Sequence, residues 1–591
     1  MTVFFLGWAR GYRSVNYQIL FGNNFLFMPS SVSNKKSKTK YIFVVGGVMS
    51  GVGKGVAASS VGAILAARGL RVTALKIDPY INLDAGTMSP TEHGEVFVLN
   101  DGDECDQDMG NYERFLNKEL SSLNYMTTGR VYQSVINKER GLEYQGRNVE
   151  VVPDVPQEVI SRIKKAADQD QADVAIVEIG GTIGEYQNIL FLEAGRMMKL
   201  ENPEDVMFVM VSYLPVPSKV GEMKTKPTQY AARSLNSAGI QADMIIARSE
   251  RSLDDKRKKK IATFCNVPSE RVISAPDVES IYDVPLNFEQ GNLGAIITDS
   301  LGLNHKMEKT DLSHWNSFVR KQKQAGREAK IAVIGKYFSS GDYVVSDVYI
   351  SVLEALKISG AYQGVKPRIT YLDAEKFEGK NGKQRLRTLK GYDGVLIPGG
   401  FGSRGIEGKV RVVEYLRKNK IPFLGLCYGM QVAVIEYARN VLGLQKANTS
   451  EIDPDAEHCV VDIMPEQKDK IEQGEFGNSM RLGAYPAVLR RGSKARQIYG
   501  RDEISERHRH RYEVNPEYIE RLRNAGLIFS GKSPDGRLME IAELSADDHP
   551  FFVGVQFHPE FQARPTAPHP LFSAFVKAVD KNRSAAANKN S

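Results

Sequence analysis

The sequence predicts an α/β protein with two parallel-sheet domains in succession, and three observations support this. The chain has 591 residues, more than one domain of about 100–200 residues accommodates. Short apolar runs typical of buried strands alternate with helical segments between residues 41 and 247, and a second series starts at residue 330. A polar, charged stretch without a core strand lies between the two series.

In the first half, an apolar strand at residues 41–46 enters a glycine-rich turn, followed by a helix at 56–68 and a strand at 71–77. Such a strand–helix–strand unit joins parallel neighbours, so a parallel sheet is expected. Further core strands are predicted at residues 173–179, 206–211 and 244–247.

In the second half, an amphipathic helix is predicted at residues 347–358, with strands at 331–335, 368–371, 394–397 and 422–426. We therefore expect a first domain at residues 40–305, a linker containing a helix at 306–329, and a second domain at 330–580. Residues 1–39 lack the features of a secretory signal and are expected to form a poorly ordered extension, with Met28 as an alternative start. Residues 581–591 are expected to form a disordered tail.

Composition narrows the class of function. The 78 Lys and Arg residues against 71 Asp and Glu give a charge of +7, too mild over this length to indicate a nucleic-acid partner. The densest basic run, residues 255–260, is interpreted as a solvated helix face. Four distant cysteines without a CxxC pair argue against a zinc site or disulfide framework and fit a cytoplasmic protein. Without a run of 18 apolar residues, no membrane partner is expected.

The glycine-rich turn GGVMSGVGKG, at residues 46–55, predicts a phosphate site. Its backbone amides can approach phosphate oxygens, and Lys54 neutralises the β- and γ-phosphates. Gly55 stands where the common motif has the Ser or Thr that holds magnesium, so a purely structural turn is the alternative. Asp108, in an acidic loop, and Glu178, at the end of a strand, are candidates for the missing metal ligand. For Asp108, simple solvation of the loop is the alternative.

The second half contains a candidate nucleophile. An apolar strand runs into Gly-x-Cys-x-Gly around Cys427, the layout of a nucleophile elbow in which a helix terminus favours the thiolate. Inert packing is the alternative for an isolated Cys. Downstream, a strand is predicted to end in His558-Pro-Glu560, where alternate side chains share a face, so Glu560 would orient His558 as the base for Cys427. A structural role is predicted for His508, His510 and His549.

The oxyanion that forms when a thiolate attacks an amide needs backbone donors. The turn PGGFG at residues 398–402 follows a strand and supplies flexible amides. We therefore predict an oxyanion hole made by the N–H groups of Gly400 and Tyr428.

Several segments of the first half resemble the glutamine-hydrolysing CTP synthase family, and the Cys elbow with its downstream His-Pro-Glu resembles class I glutamine amidotransferases. The matching segments of the first half are residues 76–104, 112–115, 127–130, 178–182, 221–229 and 271–282. The resemblance extends over residues 40–580. It implies a P-loop-like, dethiobiotin-synthetase-like parallel-sheet domain followed by a flavodoxin-like class I glutamine amidotransferase domain.

The resemblance also implies site residues. ATP is assigned to Gly51, Val52, Gly53, Lys54, Gly55, Val56, Lys76, Asp78 and Asp108. Mg²⁺, bound with ATP, is assigned to Asp108 and Glu178. UTP, or the product CTP, is assigned to Ser50, Glu185, Tyr186, Gln187, Lys224, Thr225, Lys226, Pro227, Thr228, Gln229 and Lys260. Glutamine is assigned to Gly400, Phe401, Gln431, Glu451 and Arg511, where an acid for its α-ammonium group and an arginine for its carboxylate fit the chemistry.

Lys224 and Lys226 are expected to alternate on an extended segment and to offer two cations to a second triphosphate. Pro227 is expected to keep this segment out of a helix interior. The chain departs from the family pattern at residues 154–156, at 184–187, where the family contacts the cytosine ring, and at 230. Tyr428 replaces the family's usual leucine, and little effect is expected because only its backbone donates.

The resemblance implies that ATP phosphorylates O4 of UTP, that Cys427 releases ammonia from glutamine, and that ammonia travels inside the protein to C4. It further implies GTP as an allosteric activator, CTP as a feedback inhibitor, a homotetramer and assembly into filaments. Two alternatives stay open. Another glutamine-dependent ligase, such as a cobyrinic acid amidase, is disfavoured by the segment KTKPTQ at residues 224–229. A purely structural filament protein would keep its function after Cys427→Ala.

Overall fold

The computed structural model describes residues 38–219, 221–303, 310–336, 339–340, 343–344, 347–464 and 480–590. Nearly all of the expected extension, and residues 306–309 of the expected linker, lie outside the described residues. From Thr39 onwards the chain forms one compact unit that contains both predicted sheets.

The strands of the first half are β1 (Lys40–Gly47), β2 (Val72–Asp78), β3 (Val96–Val98), β4 (Glu104–Asp106), β5 (Tyr125–Thr127), β6 (Val174–Ile179), β7 (Val206–Tyr213), β8 (Met244–Ser249) and β9 (Val272–Pro276). Its helices are α1 (Lys54–Ala66), α2 (Pro90–His93), α3 (Gln107–Leu116), α4 (Thr128–Arg140), α5 (Val151–Gln169), α6 (Ile189–Glu201), α7 (Lys226–Ser237), α8 (Asp255–Cys265), α9 (Val284–Gln290) and α10 (Leu293–Ser300). The main sheet is parallel throughout, in the order β5–β2–β6–β1–β7–β8–β9. The predicted parallel sheet is confirmed.

Both faces of this sheet are covered by helices, which explains why its strands are continuous apolar runs rather than alternating ones. All six residues of β6 are buried. Ile163 of α5 and Phe191 of α6 belong to the core on one face, whereas Ile64 of α1 and Met109 of α3 belong to the core on the other. Polar side chains are thereby confined to the strand ends, and ligands of parallel sheets gather at the carboxyl ends.

The strands of the second half are β10 (Arg327–Gly335), β11 (Ser339–Ser340), β12 (Tyr343–Val344), β13 (Val365–Asp373), β14 (Gly394–Ile397), β15 (Phe423–Leu426), β16 (Ala447–Thr449), β17 (His458–Ile463), β18 (Arg481–Leu489), β19 (Glu503–His510), β20 (Tyr512–Val514), β21 (Ile528–Lys532), β22 (Met539–Glu543) and β23 (Phe552–Val555). Its helices are α11 (Ser313–Gln324), α12 (Ile350–Gln363), α13 (Gly382–Thr388), α14 (Ile406–Asn419), α15 (Tyr428–Asn440), α16 (Lys494–Tyr499), α17 (Pro516–Asn524) and α18 (Pro570–Asn590). The large sheet has the order β13–β10–β14–β15–β23–β22–β21–β18–β19, parallel as far as β23 and antiparallel beyond it. The predicted α/β architecture is confirmed here as well.

Three boundary predictions differ from the structure. α11, expected inside a linker, buries Trp315 and Phe318, and the Trp315 indole N–H donates to the Tyr282 carbonyl at 2.7 Å, so this segment is part of the core. β10 begins at Arg327, inside the expected linker, because it pairs with β13 from that residue onwards. α18 runs to Asn590 through the expected disordered tail, whose three consecutive alanines favour helix.

The two halves are joined by buried ion pairs. Glu113 of α3 accepts hydrogen bonds from Arg507 of β19 at 2.8 Å and from Arg564 at 2.6 Å. Arg509 pairs with Glu104 of β4 at 2.7 Å. Removing one partner of such a pair leaves a buried charge uncompensated, so these contacts specify how the halves meet. Every helix within the described ranges is too short or too polar to span a lipid bilayer.

Candidate active sites

The glycine-rich turn presents the amino terminus of α1 at the carboxyl edge of the first sheet, where a phosphate is favoured. Gly51 and Gly53 have φ angles of 70° and 83°, which only glycine adopts without strain. The Lys54 ammonium donates to the Gly181 carbonyl at 2.8 Å. Burial lowers the pKa of Lys54, although the nearby charge of Glu178 opposes this effect.

Lys76, near the end of β2, is surrounded by carboxylates. Its Nζ lies 2.5 Å from Asp108 and 3.1 Å from Glu178, with oxygens of Asp78 and Asp106 at 3.7 and 3.8 Å. Burial disfavours the charge of Lys76, but the carboxylates, Asp108 first among them, raise its pKa well above the usual value. The structure therefore brings together the predicted residues Lys54, Lys76, Asp78, Asp108 and Glu178.

The spacing around Gly55 explains its departure from the common phosphate-binding motif. A Cβ at position 55 would lie only 1.9 Å from Asp108 Oδ1, so this carboxylate occupies the space of the missing Ser or Thr side chain. Carboxylate oxygens are ligands that Mg²⁺ prefers, and Asp108 and Glu178 converge beside the amino terminus of α1. This donor set fits Mg²⁺. Asp78, His93 and Asp106 also place potential ligand atoms within 4.8 Å of one another.

A cavity of about 350 Å³ adjoins the same loop. Val52 and Val56 line one part of it, whereas Arg248, Asp277 and Phe288 line another. Sequence reasoning identified the first two and missed the other three. A signal for Asp277 existed, because the segment at residues 271–282 matched a family motif, but no role was attached to it.

The residues predicted for UTP or CTP lie on several segments. Ser50 is exposed in the glycine-rich turn, and Glu185, Tyr186 and Gln187 are exposed in the loop after β6. Lys260 is exposed on α8, whose basic residues form the solvated face that the sequence indicated.

The prediction of an extended segment through Lys224 and Lys226 is wrong. α7 begins at Lys226 and has Pro227 in its first turn, where proline is tolerated because an amide there needs no intrahelical acceptor. Thr228 and Gln229 are buried in this helix, and the Gln229 amide donates to the Thr225 hydroxyl at 3.1 Å. The cations therefore flank a helix start rather than alternate along a strand.

Cys427 forms the turn between β15 and α15. Its φ of 50° and ψ of −101° are unusual for a non-glycine residue, a form of strain that clusters at functional sites. The buried Cys427 sulfur lies 3.7 Å from the Arg509 carbonyl oxygen and 3.8 Å from Nε2 of Gln556. The strand–turn–helix geometry puts the sulfur at the amino terminus of α15, which is the layout of a nucleophile elbow.

His558 and Glu560 form a hydrogen-bonded pair, with Nδ1 2.8 Å from the carboxylate. A Cβ at Gly399 would lie 3.6 Å from His558 Nε2 and 3.7 Å from Cys427 Cβ, so imidazole and cysteine border the same small space. Burial alone would lower the pKa of His558, but the charges of Glu560 and Cys427 outweigh it and raise the pKa to about 10. The imidazole of His558 is therefore expected to carry its second proton at neutral pH.

Glu560 was expected to pair with His558 along an extended strand, and this expectation is wrong. β23 ends at Val555, and a 3₁₀ helix, Pro559–Gln562, follows His558. Glu560 consequently returns to the imidazole through a tight turn rather than along an extended strand. His508, His510 and His549 are all buried, as expected of structural residues.

The residues predicted for the oxyanion and for glutamine surround the turn at 399–402. The Tyr428 N–H lies at the amino terminus of α15, where helix N–H groups point out of the helix end. Glu451 accepts a hydrogen bond from the Gly402 N–H at 2.5 Å. The Phe401 ring lies 5.9 Å from the Arg511 guanidinium. Gln431 donates from Nε2 to the Tyr512 carbonyl at 3.0 Å.

A cavity of about 160 Å³ lies beside the imidazole and is lined by residues of both halves. The second half contributes His558 and Glu560, together with Gly400 of the turn at residues 399–402. The first half contributes Gly86, Met88, Pro90, Glu95 and Val96. The candidate nucleophile site thus adjoins a cavity that residues of the other half also line.

Comparison with known proteins gives matches to both halves. The family described as CTP synthase N-terminus matches residues 40–303, and the family described as glutamine amidotransferase class-I matches residues 344–578. The chain is 50% identical over 547 residues to a CTP synthase of Thermococcus gammatolerans, which covers 92% of this chain and 99% of that protein. It is 50% identical over 541 residues to a CTP synthase of Caldanaerobacter subterraneus, which covers 91% and 98%. A solved glutaminase domain of Trypanosoma brucei CTPS with bound acivicin is 39% identical, covers 43% of this chain and 94% of that chain, and has a TM-score of 0.40.

Proposed function

We propose, from the premise that this chain belongs to the CTP synthase family, that ammonia released at Cys427 passes inside the protein to a 4-phospho-UTP intermediate. Family membership makes the chain a glutamine-hydrolysing ligase that converts UTP to CTP. The main support for the internal transfer of ammonia is the cavity beside His558, which Pro90 and Val96 of the first half also line.

In the glutaminase reaction, the Cys427 thiolate attacks the amide carbon of glutamine. The N–H groups of Gly400 and Tyr428 stabilise the resulting oxyanion. His558, held by Glu560, gives its proton to the departing ammonia, and water then hydrolyses the thioester to glutamate. Glu451 and Arg511 hold the α-ammonium and α-carboxylate groups of the substrate, and Phe401 and Gln431 complete the pocket.

In the synthetase reaction, the glycine-rich turn binds the ATP phosphates, and the cavity lined by Val52, Val56 and Phe288 has room for the adenine ring. Lys54 and Lys76 neutralise charge on the transferring phosphoryl group. O4 of UTP attacks the γ-phosphorus and releases ADP, which makes O4 a leaving group. Ammonia attacks C4, phosphate departs, and CTP results.

Mg²⁺ would be held by Asp108 and Glu178, and it would neutralise charge on the ATP phosphates. The main support is the approach of Asp108 to Gly55, since the carboxylate takes the place of the hydroxyl that holds magnesium in related loops. Lys76 pairs with the same two carboxylates.

UTP binding is proposed for the start of α7 with Lys260 and the loop at residues 185–187, where CTP would also bind as an inhibitor. Activation by GTP, a homotetramer, filaments and a cytoplasmic location are further proposals from the family.

Met88→Trp tests the internal transfer. Met88 is half-buried and lines the cavity beside His558, so an indole at this position should obstruct it. We expect glutamate release to persist while the ratio of CTP formed to glutamate released falls severalfold below one-to-one. Both products are measured in the same reaction by chromatography.

Glu92→Trp is the matched control, because Glu92 is exposed on the neighbouring α2 and does not line the cavity. Its product ratio should stay close to one-to-one. An unchanged ratio in a folded Met88→Trp variant would argue against transfer through this cavity.

A further inference from the structure

The Tyr428 side chain is embedded in a charged environment next to the nucleophile. Lys336 Nζ lies 4.1 Å and Lys409 Nζ 4.9 Å from the centroid of the Tyr428 ring, both within range of a cation–π contact. The Tyr428 hydroxyl donates to the Gly402 carbonyl at 3.0 Å. Lys336 Nζ donates to the Phe401 carbonyl at 2.9 Å and also to that of Gly402. One lysine and one tyrosine thus bind the carbonyls of the turn at residues 399–402.

The same turn is bound at its other end. The Tyr349 hydroxyl donates to the Gly399 carbonyl at 3.3 Å. This carbonyl belongs to the same planar peptide unit as the Gly400 N–H and points the opposite way, so its direction also sets that of the N–H group. Because Gly399 and Gly400 have no side chains to restrict them, contacts of this kind have to supply the rigidity.

We propose that Lys336 and the Tyr428 side chain are positioning residues that hold the turn at 399–402 so that the Gly400 N–H faces the reacting carbonyl of glutamine. This inference rests on the glutaminase role proposed for Cys427. It assigns a purpose to the tyrosine that replaces the family's usual leucine, where the sequence had indicated only a backbone donor.

Of the two lysines beside the Tyr428 ring, Lys336 is the one that holds a positive charge against it. Lys409 is fully buried on α14, and its amine has no hydrogen-bond partner among the residues that the structure describes. Burial and the charge of Lys336 lower the pKa of Lys409 well below the usual value, against weaker contributions from Cys427, Glu451 and Asp373. Burial therefore disfavours the charged form of Lys409, whereas Lys336 has two carbonyl acceptors for its N–H groups.

Lys336 gives the turn a pH dependence. Burial lowers its pKa to about 8, although Glu451 and Glu378 favour the charged form, and Arg404 opposes it. Below this pH the ammonium keeps its contacts with the ring and the carbonyls. Above it the charge is lost, the contacts weaken, and glutaminase turnover should fall. A separate loss is expected near the pKa of about 10 of His558.

The test is the pH profile of glutaminase kcat, measured as glutamate release at saturating glutamine. The wild-type rate should decline with a midpoint near the Lys336 pKa of about 8. In Lys336→Arg the guanidinium keeps its charge, so the midpoint should move up towards the His558 value of about 10. Lys336→Met should lower kcat at neutral pH about tenfold, less than the 10²–10³ that loss of an oxyanion donor costs, with a smaller change in KM.

Variants at the ring separate its two contacts. Tyr428→Phe keeps the ring but loses the hydrogen bond to Gly402, so a small loss of kcat is expected. Tyr428→Leu loses both contacts, and kcat should fall further with a midpoint shifted to lower pH. Burial disfavours the charge of Lys409, and its amine makes no hydrogen bond to a described residue, so the midpoint of Lys409→Met should match the wild type.

An unchanged midpoint in a folded, active Lys336→Arg variant would overturn the inference, as would a wild-type profile that stays flat through the Lys336 pKa. Absence of glutamate release from the wild type itself would instead overturn the proposed glutaminase function. Near-UV circular dichroism of each variant checks that the fold is retained.

Discussion

Replacing Cys427 with alanine should abolish CTP formation from glutamine while formation from added ammonium chloride continues. The thiolate is the only group proposed to attack the amide carbon, and loss of a nucleophile costs about 10⁴-fold or more in turnover. The first half keeps its glycine-rich turn and the carboxylates of Asp108 and Glu178, so ammonia from solution should still aminate the activated UTP. Ultraviolet absorbance follows CTP with either nitrogen source.

Cys459→Ala is the matched control, since Cys459 is a free, partly exposed cysteine of the same half that lies on β17, away from the nucleophile elbow. It should retain both activities. If Cys427→Ala lost ammonia-dependent synthesis as well while remaining folded, the separation of the two half-reactions would be wrong.

Replacing Lys54 with alanine should remove both the glutamine-dependent and the ammonia-dependent activity. Lys54 begins α1 beside Glu178 and is the cation that the glycine-rich turn itself contributes to the transferring phosphoryl group, which Lys76 of β2 also contacts. We expect a loss of about 10³-fold, the scale of removing one preorganised charge contact to a transition state. The readout is CTP formation with either nitrogen source.

Glutamate release should survive in Lys54→Ala, because Lys54 does not line the cavity beside His558. Lys165→Ala, at an exposed position on α5, should behave as the wild type. Retention of ammonia-dependent synthesis in Lys54→Ala would show that the glycine-rich turn does not take part in the activation of UTP.

The order of elements was predictable because buried parallel strands leave an unmistakable apolar pattern. β1, β6 and β15 were recognised in this way, and their carboxyl ends indicated where ligands gather. The ends of elements were less predictable. Trp315 was expected to lie in a linker but is buried in the core. Its burial depends on contacts with Tyr282, which the local sequence does not encode.

The candidate sites were predictable where neighbours in sequence are neighbours in space. His558 and Glu560 pair as expected, although through a 3₁₀ turn rather than a strand. Groups that meet only through the tertiary fold were missed. Arg248 approaches the glycine-rich turn from β8, and Lys336 reaches Tyr428 from the end of β10. Neither contact has a signal at short sequence separation.

An isotope-labelling experiment tests most directly whether ammonia passes between the two sites without mixing with solvent. The enzyme would convert UTP to CTP with glutamine labelled with ¹⁵N at the amide, in the presence of a large excess of unlabelled ammonium at a pH where little of it is free ammonia. Mass spectrometry then gives the label at the 4-amino group of CTP. We expect CTP that carries ¹⁵N almost completely, because the nitrogen passes from Cys427 to UTP without mixing with solvent. Label diluted to the isotopic composition of the bulk ammonium would contradict it.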